Sequence, residues 1–196
     1  HEVLLVSDIA YSELGFAPAS PPPSVLQVPG AKDVAVEFQS LSKSHNMAGW
    51  RAGFAVGGSA AVATLGRVKS HVDFSLFGAI QLAAAAALTG DQRVCAANRD
   101  LYRGRRDRMV AGYRALGWDV PLPPATMYVW APVPSAWRGD DFAFVQEVFT
   151  RAGVLLSPGS AFGSHGKGWC RTSLVADDAG TTEVLRRLAR ADLDWS

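Results

Sequence analysis

Ser40-Leu41-Ser42-Lys43, followed by Asn46-Met47-Ala48-Gly49-Trp50-Arg51, is the stretch whose residue types could do chemistry. An amine attacks a carbonyl only when uncharged, so such a lysine needs shelter. Lys43 lies among small hydroxyl residues and glycine rather than among charges, as a lysine forming an imine with a buried aldehyde would. The hydroxyls of Ser40 and Ser42 and the planar fork of Arg51 suit a phosphate dianion. Each serine also suits a loop cap. Upstream, Asp8 and Tyr11 offer a carboxylate and a phenol; read alone, they are a loop cap and a packed aromatic. Downstream, Gly168-Trp169-Cys170-Arg171 sets an arginine in an otherwise apolar strand. A buried arginine needs a carboxylate, which a substrate or an internal Asp or Glu could supply.

The elements that must position these groups read as α/β. Val3–Val6 is a continuous apolar run, the pattern of a strand buried on both faces of a parallel sheet. It delivers Asp8 to the carboxyl edge, where open α/β sheets place ligands. Val34–Phe38 and Ala52–Val56 read as further strands, the latter ending at Gly57-Gly58. Together the three deliver Asp8, a Lys43 loop and the segment after Arg51 to a common region. Arg51, between Trp50 and a strand expected to be buried, would need an anionic partner there.

Helices are expected over Ala60–Ser70, Phe74–Leu88 with a stop at Gly90, and Asp91–Leu116, capped by Asp91 and closed by Gly117. The Pro121–Pro124 cluster marks the expected domain boundary, giving domains 1–120 and 121–196. Beyond it come a strand at Met127–Trp130, a helix at Asp141–Ala152, strands at Val154–Leu156 and Trp169–Leu174, and a helix at Thr181–Leu193. Pro18–Pro23 reads as a surface loop, and Gly159–Gly163 as a mobile loop near the substrate side.

Bulk properties narrow the class. The 196 residues carry a net charge of +1, so neither nucleic acid nor an anionic membrane is expected as partner. Hydrophobic content of 48% is that of a globular chain, and no apolar run is long enough to span a membrane. Cys95 and Cys170 form no metal-type cluster and read as reduced thiols of a cytoplasmic protein. His45, His71 and His165 lack metal-ligand spacing. Arg99, Arg103, Arg105, Arg106 and Arg108, interleaved with Asp100 and Asp107, read as the solvated face of the long helix. The chain opens at His1 without methionine, already near a strand, and reads as the remainder of something longer.

In this order, Asp8-x-x-Tyr11, Ser40-Leu41-Ser42-Lys43, Arg51 and Gly168-x-x-Arg171 resemble the class I/II aminotransferases, enzymes of fold type I that use pyridoxal 5′-phosphate (PLP). The Asn46-Met47-x-Gly49-Trp50-Arg51 wording is similar to the diaminopimelate and aspartate types of bacteria, with His45 where the family often has phenylalanine or tyrosine. The resemblance implies part of a PLP-binding large domain followed by a C-terminal α+β small domain. It implies that Lys43 forms the imine, and that Asp8 serves the pyridine nitrogen and Tyr11 the O3′ oxygen. Ser40, Ser42 and Arg51 would hold the phosphate, and Arg171 the substrate carboxylate. It further implies amino-acid and 2-oxo-acid substrates and a homodimer.

The family's glycine turn for the phosphate, its ring-stacking aromatic and its O3′ asparagine have no counterpart in these residues. A PLP-binding fragment without full competence, or a lyase or decarboxylase on the same fold, are therefore the alternative expectations.

Overall fold

The computed structural model describes residues 3–16, 22–137 and 139–196. The front of the proline-rich loop, residues 18–21, lies outside the described residues. The chain divides into two compact units, residues 1–100 and 101–196, and the division falls within a long helix.

In the first unit a sheet of three strands runs in the order β1 (Leu5–Asp8), β2 (Ala35–Ser40), β3 (Gly53–Gly57). One helical turn, α1 (Ala31–Val34), leads into β2, and another, α2 (Leu41–Ser44), leaves it. β1 pairs parallel to β2, with Asp8 opposite Phe38; β3 pairs antiparallel, with Gly53 opposite Ser40 and Gly57 opposite Val36. The antiparallel pairing departs from the parallel sheet expected, yet it still brings the segment after Arg51 to the common edge. The end of β3 at Gly57 lies at the far edge from Lys43, and it is the start of β3 that comes to the near edge.

Burial corrects another. β1 is exposed along most of its length, with Leu5 48% and Val6 59% accessible, and Val56 of β3 is 41% accessible. A run apolar enough for two covered faces here forms an edge strand, and the described residues lay no helix over it.

Three helices follow: α3 (Ser59–Val72), α4 (Gly78–Thr89) and α5 (Arg93–Ala115). α4 starts four residues later than its apolar pattern suggests, because Phe74 sits at φ 59, outside the helical region. The expected stops hold. Gly90 donates to the Ala86 carbonyl at 2.9 Å, Asp91 Oδ1 accepts from Arg93 N–H at 2.9 Å, and Gly117, at φ 97, ends α5. The solvated arginine face does not hold throughout. Arg106 is 7% accessible, pairs with Asp107 at 2.7 Å and donates to the Pro123 carbonyl at 2.9 Å. Its charge ties down the proline turn instead of meeting water.

The second unit is an antiparallel sheet, ordered β4 (Tyr128–Pro132), β6 (Trp169–Ser173), β5 (Ser157–Pro158), with helices α6 (Asp141–Ala152) and α7 (Asp178–Arg190). β5 begins after the expected Val154–Leu156. That segment alternates buried and exposed residues as a strand would, but pairing starts only where Ser157 meets Arg171. α7 begins earlier than its apolar residues imply, since Asp177 caps it through Gly180 N–H at 2.7 Å. Val129, Ala131, Cys170 and Thr172 face a core shared with Tyr113, Trp118, Phe144 and Leu188. Inside it, Tyr113 and Thr172 hydroxyls bond at 2.8 Å, and Trp118 Nε1 donates to the Pro132 carbonyl at 2.8 Å. Burial pushes the Cys170 thiol up to about 12.

Residues 159–163, expected as a mobile loop, are built into this unit as a 3₁₀ turn (Gly159–Phe162). Gly159 and Gly166 approach each other's carbonyls too closely for any side chain. Asp141, 2% accessible, accepts from Ser160 N–H at 2.8 Å and from Gly168 N–H at 3.2 Å. Burial pushes its carboxyl up, but these bonds together outweigh burial and hold it below its ordinary value of 3.8. A depressed carboxyl stabilises the fold above that ordinary value, and the contribution is lost as pH falls below it. Asp141→Asn should therefore cost about 1.5–3 kcal/mol at neutral pH. In urea unfolding, the gap to the parent chain should narrow as pH is lowered below about 4.

Candidate active site

Three chain segments meet at one edge of the first sheet: the end of β1 at Asp8, the end of β2 at Ser40, and the start of β3 at Gly53. Lys43 rises from this edge on α2. Ser40 closes β2 and also caps α2, its Oγ accepting from Ser42 N–H at 3.2 Å. Leu41, 2% accessible, roots the turn in the core, and its N–H donates to the Ala52 carbonyl at 3.1 Å. The turn cannot run on, because Asn46 takes φ 55 and Met47 N–H folds back to the Leu41 carbonyl at 3.2 Å.

Lys43 is half-buried, its Nζ 6.0 Å from the centre of the Tyr11 ring. Among the described residues no carboxylate or carbonyl holds that amine. Ser42 is buried and Ser40 half-buried. Arg51 ends the 3₁₀ turn Ala48–Trp50 in the left-handed region (φ 55, ψ 39), uncommon for a side-chain-bearing residue. Its Nη1 donates to the Ala48 carbonyl at 2.9 Å. Arg51 is exposed beside a largely exposed β3, so no buried charge calls for an anion there; its place at the edge is what suits one. Asp8 is exposed and accepts from Ala10 N–H at 3.3 Å, so it also serves as a loop cap. Tyr11 is half-buried and opens the 3₁₀ turn Ser12–Leu14. One amine, two hydroxyls, a guanidinium, a phenol and a carboxylate thus belong to a single edge. That donor set fits a phosphorylated aldehyde with a basic ring nitrogen.

Sequence reasoning missed the residues that hold this edge together. Glu37, 4% accessible within β2, accepts from Ser24 Oγ at 2.9 and 3.0 Å and from Val25 N–H at 3.0 Å. A charge inside the apolar run Val34–Phe38 was the available signal. Gln39 and Ser12 bond side chain to side chain at 3.3 Å, fixing the turn next to Tyr11. Behind Lys43, Asn98 Nδ2 donates to the Ser44 carbonyl at 3.0 Å, and Ser44 Oγ meets His45 Nδ1 at 2.8 Å. Cys95 Sγ lies 3.6 Å from His45 Nε2, and burial, with Glu13 adding to it, pushes this thiol up. A cavity of about 310 Å³ opens here, with Glu13, Ser40, His45, Phe54, Cys95 and Arg99 among its lining.

Arg171 belongs to the second unit, at the centre of β6 opposite Trp130 and Ser157. It is half-buried, and its guanidinium carbon lies 4.4 Å from the centres of both the Tyr128 and Phe162 rings. Among the described residues no Asp or Glu forms the internal salt bridge that an arginine in this strand could have made.

The family model described as "Aminotransferase class I and II" matches residues 1–191. The chain belongs to the class I and II aminotransferases. An LL-diaminopimelate aminotransferase of Gloeobacter violaceus is 42% identical over 193 residues, 98% of this chain and 49% of that protein. A putative aminotransferase of Rhizobium meliloti is 44% identical over 191 residues, 97% of this chain and 47% of that one. Among solved structures, apo-BacF from Bacillus subtilis superposes with a TM-score of 0.92 at 34% identity, over 100% of this chain and 52% of its own. A probable N-succinyldiaminopimelate aminotransferase from Thermus thermophilus does so with 0.87 at 37% identity, over 97% and 50%. The chain thus spans about half the length of the aminotransferases it matches. The fold is that of fold type I, and the enzymes of this family depend on PLP.

Glu37 is the partner whose loss the edge should feel most. Glu37→Leu leaves the Ser24 hydroxyl and the Val25 N–H without their acceptor and should cost about 1–3 kcal/mol in denaturant unfolding. Glu37→Gln, which keeps an acceptor oxygen, should recover part of that loss.

Proposed function

We propose that this chain supplies the lysine and the carboxylate-binding arginine of a PLP-dependent aminotransferase, which moves an amino group from an amino acid to a 2-oxo acid. The observation that carries the proposal is the placement of Lys43. It sits on a capped turn at a sheet edge with Asp8, Tyr11 and Arg51, in a chain matched by the aminotransferase family over residues 1–191.

Lys43 would hold the cofactor through its aldehyde carbon, with Ser40, Ser42 and Arg51 on the phosphate. Asp8 would keep a proton on the ring nitrogen, and Tyr11 would donate a hydrogen bond to the ring's phenolate oxygen. When bound, the cofactor supplies an electron sink for the charge left as the substrate Cα–H bond breaks. Lys43, once free as an amine, would take the substrate Cα proton and deliver it to the cofactor's former aldehyde carbon, on the other side of the transferred nitrogen. Arg171 would receive the substrate carboxylate with two parallel N–H bonds. The LL-diaminopimelate aminotransferases among the relatives support an amino acid of biosynthesis as substrate. We further propose a cytoplasmic enzyme, a reading supported by the unpaired Cys95 and Cys170, and a homodimer, supported by the family resemblance and by the apolar surface along β1.

The half-length coverage favours one second reading, in which this chain binds the cofactor without turning over. Two measurements separate the readings. Borohydride reduction of the chain with PLP, followed by peptide mass spectrometry, should place the phosphopyridoxyl mass on Lys43 and leave Lys43→Ala unlabelled. Label spread over surface lysines would remove Lys43 from its role. Amino-acid half-reactions followed by absorbance should then show conversion, falling by at least about a hundredfold in Lys43→Ala. Labelling without conversion selects the binding-only reading.

A further inference from the structure

One face of the second unit's sheet carries Arg171 among aromatic rings. Tyr128 and Trp130 of β4 and Trp169 of β6 alternate with the buried Val129, Ala131 and Cys170, so they share the other face with Arg171. Phe162 arrives from the 3₁₀ turn. Trp130 meets Phe162 edge-on at 5.6 Å and stacks on Trp169 at 6.1 Å. Phe162 is thereby held at its ring by Trp130 and at its backbone by the turn that Asp141 secures through Ser160.

A ring face attracts a cation through its quadrupole without using any N–H donor. A carboxylate partner would also localise a guanidinium, but would occupy its donors. Arg171 has two rings at 4.4 Å and, among the described residues, no acceptor on its fork. The charge is located while the donors stay open.

We propose that Tyr128 and Phe162 are positioning residues that hold Arg171 as a carboxylate receptor, an inference resting on the reading of Arg171 as the substrate-carboxylate grip. Phe162 is the more informative position, because at 51% accessible it can change without opening the core.

The test uses the ¹⁵N-labelled 196-residue chain, following the Arg171 Nε–H resonance by NMR and titrating with pyruvate as the carboxylate probe. Loss of the peak in Arg171→Lys assigns it. In the parent chain the resonance should lie upfield through ring currents and move saturably with pyruvate. Phe162→Leu should bring it back downfield and weaken pyruvate binding roughly two- to fivefold. Phe162→Tyr, which keeps a ring, should restore both. Unaltered pyruvate affinity in Phe162→Leu would overturn the positioning role while leaving Arg171 as the receptor. A parent resonance unmoved by pyruvate would instead overturn the carboxylate reading of Arg171, and the positioning role with it.

Discussion

The first unit depends on the close pairing of β2 with β3, because that pairing fixes where Ser40 ends a strand and starts a turn. Gly53 lies opposite Ser40, and a Cβ there would come within 2.8 Å of the Gln39 carbonyl. At the other end of the ladder Gly57, at φ 143, lies too near the Ala35 carbonyl for a side chain. Glycine at both ends lets the strands close fully on each other. With that register set, Ser40 presents its Oγ to Ser42 N–H and Leu41 drops into the core. Lys43 follows from those two anchors, and Arg51 follows from the short return to Gly53.

The two units reach order by different routes. The second closes a core of its own, in which Trp118 touches Tyr113, Phe144 and Trp195 and the sheet has one covered face. The first leaves Val6, Phe74, Phe77 and Leu82 open to solvent and is held by polar ties as well. Examples are Glu37 to the Ser24 segment, Gln39 to Ser12, and Asn98 to Ser44. Directional bonds position a side chain well, but each adds little net stability.

Elements governed by local rules were legible in the sequence. Asp91, Gly90 and Gly117 mark their helix ends by cap chemistry, and Asp141–Ala152 is the helix its apolar spacing describes. Ser40, Lys43 and Arg51 could be singled out because the sequence itself places them within one short segment. What depends on distant partners was not legible. Apolar composition cannot tell a covered strand from an edge strand, so the exposure of β1 went unseen. The burial of Arg106 needs the Pro123 carbonyl, and the firmness of residues 159–163 needs Asp141. Neither partner is adjacent in sequence.

The turn that bears Lys43 is a single helical turn, Leu41–Ser44. So short a helix has almost no stability of its own, since nucleation costs more than one internal bond returns. Its persistence is borrowed from the Ala52 carbonyl at one end and from Asn98, on the first turns of α5, at the other. The aim of the amine therefore depends in part on α5, more than fifty residues along the chain. Fraying at the start of that helix would reach Lys43 as angular freedom without altering any group on the turn itself.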